Sequence, residues 1–168
     1  MHKARAFTLV EILIVVVLLG VLAAIVIPVM ASSGNAAKGS ALATDLSLLR
    51  RFMLVYKSHH LEVPPGYPDG DKTAAPTYDA FRNQAMLSSN ASGETAAVGT
   101  AGYKYGPYLS RIPVNPFNGS ETVQMLANGE DFPATPDGKS GWICKPASGE
   151  IRPGNTDSDE SGKAYYDY

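Results

Sequence analysis

Residues 7–29 read FTLVEILIVVVLLGVLAAIVIPV, a near-continuous apolar run broken close to its start by one carboxylate, Glu11. No charged residue occurs from position 12 to position 37. At 1.5 Å per helical residue, about 20 apolar residues cover a ~30 Å hydrocarbon core, so residues 12–31 are long enough to span a bilayer. An isolated span must satisfy its own backbone amides in lipid, which makes helix the expected state. The pattern then changes. Leu42, Leu46, Leu49, Met53 and Tyr56 recur at spacings of four, three, four and three, while Lys38, Asp45, Arg50, Arg51 and Lys57 fall on other faces. That spacing predicts a helix that resumes near 35, ends near 59 and lays its apolar stripe on a folded domain. Residues 7–59 would then form a rod of roughly 80 Å. Gly20 and Pro28 are expected to make the first half flexible. Proline removes one backbone donor and crowds the preceding turn, and glycine lowers helix propensity by about 1 kcal/mol. Gly34 and Gly39 weaken the start of the second half.

Beyond the long helix the pattern breaks into short pieces. Residues 61–80 hold Pro64, Pro65, Pro68 and Pro76 among glycines and read as loop. Residues 79–87 fit a short helix with Phe81 and Ala85 inward, and 88–102 read as a small, polar, mobile loop. Residues 102–119, GYKYGPYLSRIPVNPFNG, predict an extended segment pinned against the helix by its aromatic residues. In 121–127, Val123 and Met125 alternate as on a half-buried strand. Residues 141–152, GWICK, PASG and EIR, give a strand, a turn and a strand, with Trp142 and Cys144 on one face and Ile143 on the other. The expected fold is α+β: a long N-terminal helix, its first half transmembrane, packed on a small antiparallel β-sheet.

Charge and composition narrow the function. Residues 35–168 carry 12 Lys and Arg against 15 Asp and Glu. A mildly acidic domain is unsuited to displacing counterions from nucleic acid. No Ser/His/Asp set, cysteine–histidine metal spacing or phosphate-binding glycine loop is present, so no enzyme is expected. Cys144, the single cysteine, reads as a small packed residue. His59 and His60 are adjacent and point to different sides of a helix end, a spacing that suits the helix dipole better than joint metal binding.

The N-terminus carries the decisive chemistry. Lys3 and Arg5 in the leader 1–6 place it in the cytoplasm and the domain outside. Glu11 costs about 2.5–3.5 kcal/mol at mid-membrane and less near the interface, so it calls for a partner. A cut between Ala6 and Phe7 would place a new α-amino group, mostly charged at neutral pH, one turn from Glu11 of its own chain or of a neighbour.

The basic leader, FTLVE and the apolar helix with Gly20 and Pro28 resemble the class III signal of type IV pilins and type II secretion pseudopilins. YGPYL followed by P.NP..G (residues 105–119) resembles the major-pseudopilin branch. The resemblance implies a pilin-like fold, and cleavage by a prepilin peptidase between Ala6 and Phe7. It also implies N-methylation of Phe7 and an assembly and registry role for Glu11. The family normally has Gly before the cut, where this chain has Ala6. The implied organisation is a leader (1–6), a transmembrane and filament-core half of the helix (7–34) and a periplasmic domain (35–168). The implied function is a pseudopilin of a type II protein secretion system. It would self-assemble into a helical filament with an inner-membrane assembly platform and minor pseudopilins, first as a single-pass inner-membrane protein and then in the periplasm. The alternative is a type IV pilin of a surface pilus for adhesion or motility. Against that alternative, paired C-terminal cysteines are absent.

The C-terminal stretch has two readings. Asp157, Asp159, Ser161 and Gly162 match the first half of a D-x-D-x-S-G calcium loop. Tyr168 stands where an EF-hand requires a bidentate Glu, which excludes an EF-hand and leaves a simpler calcium loop or a solvated acidic tail. Major pseudopilins often order this region with calcium. Mass spectrometry of the mature N-terminus tests the whole reading: a methylated Phe7 is expected, and an intact Met1 would reduce the segment to a simple anchor.

Overall fold

The computed structural model describes the backbone of residues 8–168 and the side chains of 8–26 and 34–168. The first element is α1, Leu9–His59. Thr8 opens it: its hydroxyl accepts the Glu11 N–H (3.2 Å), while Glu11 Oε2 accepts the Thr8 N–H (2.8 Å). This reciprocal pair satisfies two of the donors that every helix start leaves open. The backbone is helical throughout, with no gap at Pro28 and no fresh start near 35. Proline's fixed φ is itself helical and only one N–H is lost, so a well-propagated helix can continue through it.

The chain divides between Ala37 and Lys38 into two compact units, and α1 contributes to both. In the first unit every Leu, Ile and Val from Leu9 to Val26 is at least half exposed. In the second, Leu42, Leu46, Leu49, Phe52, Met53 and Tyr56 of α1 are all buried. The stripe read from the spacing is therefore the head's core face, with Phe52 added to it.

Against that face lies α2, Tyr78–Met86, started by the Thr77 hydroxyl, which accepts the Ala80 N–H, and buried through Phe81 and Ala85. The sheet is mixed rather than all antiparallel. β3, Val123–Met125, runs parallel to β4, Trp142–Lys145, and β4 runs antiparallel to β5, Glu150–Pro153. Residues 126–141 give the chain enough length to return to the starting end before β4, which a tight hairpin turn could not do. The alternation in β4 decides what each face meets. Trp142 and Cys144 join the α1 core, whereas Ile143 packs with Leu126 and Tyr166 in a second small cluster. The Trp142 indole N–H donates to the Pro113 carbonyl at 2.8 Å, so burial leaves it satisfied.

Two stretches are more ordered than their composition implies. Ser88–Ser89 (β1) pairs antiparallel with Thr95–Ala96 (β2), where a mobile loop was expected. Asn90 Oδ1 holds the turn between them by accepting the N–H groups of Ser92, Gly93 and Glu94, each at 3.1 Å. At the C-terminus a short 3₁₀ turn, Tyr165–Asp167, buries Tyr165 and Tyr166, while the acidic residues ahead of it stay on the surface. Gly39 has a packing role here, because a Cβ on it would collide with the Tyr165 hydroxyl.

Leu49 is fully buried in the same cluster as Trp142, the only tryptophan. Leu49→Ala should cost about 2–5 kcal/mol, read as a lower urea midpoint of Trp142 fluorescence with an unchanged slope.

Candidate functional site

Two regions carry the candidate residues. The first is the start of α1. Leu9–Val26 is long and apolar enough to cross a membrane. Exposed apolar surface on this scale needs lipid or another apolar surface to cover it. Glu11 sits at the front of this segment with Oε2 accepting from both the Thr8 N–H and the Thr8 hydroxyl, each at 2.8 Å. Thr8 was not singled out from the sequence, although T-x-x-E ahead of an apolar run is the signature that reveals such a cap. Gly20 faces open space. Ala6 and Phe7, the expected cleavage and methylation residues, lie outside the described residues, as does the Pro28 side chain.

The second region is the acidic turn at 157–162. Asp159 Oδ1 accepts from the Ser161 N–H (2.8 Å), the Ser161 hydroxyl (2.6 Å) and the Lys163 N–H (3.0 Å). Oδ2 accepts from the Tyr168 hydroxyl at 2.6 Å. The Ser161 and Tyr168 hydroxyls, helped by the two backbone N–H groups, hold the carboxyl down at about 2. Asp157 accepts from the Asn155 amide at 3.2 Å. Asn155 in turn accepts from Asn115, whose amide also donates to the Gly141 carbonyl, both at 2.9 Å. Asn115 and Asn155 are buried, so a polar relay runs from the interior to the acidic turn. Sequence reasoning missed both asparagines; the NP..G wording around Asn115 was the available signal.

The donor chemistry of this turn bears on calcium. A calcium ion takes about six to eight oxygens. Asp157 and Asp159 supply carboxylates, but both oxygens of Asp159 already accept hydrogen bonds. Among the described residues no group of three or more His, Cys, Asp or Glu side chains gathers. As it stands the turn is closed by its own donors and does not form a cage of free oxygens.

The remaining candidates are structural. Cys144 is fully buried and burial pushes its thiol far up, so it is inert packing. The two histidines separate. His59 is exposed and meets the Tyr108 hydroxyl at 3.0 Å, while His60, just past the helix, is buried.

Comparison with known proteins gives one family model and three relatives. The family model "Prokaryotic N-terminal methylation motif" matches residues 1–27. The chain is 31% identical to type II secretion system core protein G of Klebsiella pneumoniae over 143 residues, covering 82% of this chain and 89% of that relative. It is 29% identical to the protein of the same name from Aeromonas hydrophila, over 77% of this chain and 79% of the relative. The corresponding Vibrio cholerae protein is 28% identical over 77% and 75% of the two chains. No solved structure matches the chain.

Because the Asp159 carboxyl titrates near 2 when folded and about 3.9 when unfolded, its contribution is full above the higher value and lost as pH falls through the lower. Thermal unfolding should show a drop in melting temperature between about pH 4 and pH 2, and Asp159→Ala should remove part of that drop.

Proposed function

The chain belongs to the family of the type II secretion system core protein G, and from that premise we propose that it polymerises into the periplasmic pseudopilus of a type II secretion machine. It is a pseudopilin subunit. The relatives are secretion pseudopilins, and the surface-pilus alternative is not favoured. The observation that carries the proposal is the Leu9–Val26 surface, which its own unit leaves uncovered on all sides. One helix with that surface is stable in two settings, a bilayer and a bundle of identical helices. A cytoplasmic N-terminus, a head outside the membrane and a transfer from the first setting to the second follow from this reading.

In the proposed pathway the prepilin peptidase cuts between Ala6 and Phe7 and methylates Phe7. The mature subunit then enters a filament built by an inner-membrane assembly platform together with minor pseudopilins. Glu11 meets the Phe7 amine of a neighbour and sets the stagger between helices. Its bonds to Thr8 are compatible with this, since a carboxylate offers about four acceptor positions and the Thr8 contacts use one oxygen. Gly20 and Pro28 let the helix adjust during transfer. Calcium at Asp157 and Asp159 is a separate proposal: an entering ion would compete with the Ser161, Lys163 and Tyr168 hydrogen bonds, and no assembly step depends on it.

Capping and registry can be separated experimentally. Glutamine serves in a capping box as glutamate does but carries no charge. Glu11→Gln should leave membrane insertion and helix content intact while sharply reducing filament yield in electron micrographs, and Glu11→Val should reduce yield as well. Normal filaments from Glu11→Gln would make Glu11 a cap and end the registry role.

A further inference from the structure

His60 holds three pieces of the head together. The residue is 1% exposed. It lies flat on Tyr56 of α1, with centroids 3.7 Å apart and planes 9° apart, and meets Tyr105 edge-on at 5.3 Å. Nδ1 is 2.7 Å from the Tyr56 carbonyl. A carbonyl only accepts, so Nδ1 carries the proton. Nε2 is then the acceptor of the neutral ring, 2.9 Å from the Ser89 hydroxyl of β1, which donates to it. Ser89 and Tyr105 exchange two backbone hydrogen bonds, at 2.8 and 3.0 Å. One imidazole thus ties the end of α1 to β1 and, through β1, to the Tyr105 segment.

The surroundings disfavour a second proton. The titratable groups facing the ring are Tyr56 and His59 of α1 and Tyr105 and Tyr108 of the later segment; β1 contributes the uncharged Ser89. None is a carboxylate. The nearby Lys57 and Glu62 pair with each other at 3.2 Å. Protonation would create a buried cation without an anion and remove the acceptor that Ser89 uses. Burial accordingly pushes His60 below the ordinary histidine range, the Tyr56 carbonyl opposing the shift and His59 adding to it.

We propose that His60 is an acid-sensitive latch whose protonation releases β1 from the end of α1 and loosens its pairing with the Tyr105 segment while the Trp142 core stays closed. The open form binds a proton near pH 6.5, the closed form only at lower pH. The latch is therefore fully engaged above about 6.5 and weakens as pH falls from there toward the folded value. At pH 5.5 the local opening constant should have risen by up to about tenfold over its value at pH 7.5.

The test is nuclear magnetic resonance on the full chain in detergent at pH 7.5 and 5.5. His60 should titrate below the ordinary histidine range. Exchange of the Ser89 and Tyr105 amides, corrected for the intrinsic pH dependence, should accelerate by up to tenfold, with the Trp142 amide unchanged. His59→Gln should keep this response and His60→Gln should flatten it. The proposal is overturned if His60 titrates at or above the ordinary histidine value, if the Trp142 amide accelerates equally, or if His59→Gln abolishes the response. Should His60→Gln fail to fold, the wild-type titration and amide pattern decide alone.

Discussion

Covering the apolar surface of one helix is the constraint on which the rest of this structure depends. From Leu42 to Tyr56, α1 is covered by its own chain, and the head is arranged around that face: α2, the mixed sheet and the segment carrying Leu109 and Ile112 all contribute to a single core. From Leu9 to Val26 the same element has no such cover. Burying one Leu, Ile or Val stabilises by roughly 1.5–3 kcal/mol, so a run of them left in water would be prohibitive. Membrane and filament are the two environments that remove the penalty, and both tolerate a helix whose surface is apolar all round.

The head shows how a small domain with short strands is held in place. The three strands of the main sheet have three or four residues each, and ladder bonds alone would leave the long connections loose. Buried side-chain amides take up that work. Gln84 accepts the Gly66 N–H at 2.7 Å and donates to the Tyr67 carbonyl at 2.8 Å, fixing the proline-rich stretch. Asn115 and Asn155 do the same between the 113–120 segment and the C-terminal turn. Such groups are costly when unpaired and specific when satisfied, so they lock loops whose composition promises mobility.

Glu11 has a local role in the structure and, in the proposed filament, a collective one. Within the chain it closes a capping box with Thr8, which accounts for an acidic residue at this position without any partner. In the proposed filament its charge would give an otherwise featureless apolar rod a preferred axial position. The proposed role would share this position because a helix start at the membrane edge is where a carboxylate is least costly and where a neighbour's terminal amine would arrive.

The sequence by itself determined whatever depends on periodicity and local chemistry: the apolar span, the Leu42–Tyr56 stripe, the short helix around Phe81, and the opposite faces of Trp142 and Ile143. The span follows from an unbroken apolar run and the others from a repeat of 3.6 or 2, signals that survive without knowledge of neighbours. Only the tertiary structure decided the parallel pairing of β3 with β4, the ordered β1–β2 turn, the burial of His60 and the closure of the acidic turn by Tyr168. These rest on particular partners, Ser89 for His60 and Tyr168 for Asp159, and a polar residue's pattern in the chain does not reveal whether such a partner exists. Continuity of α1 through Pro28 belongs to the same class. A proline sets a local cost, and the cooperativity of the surrounding helix settles whether that cost breaks it.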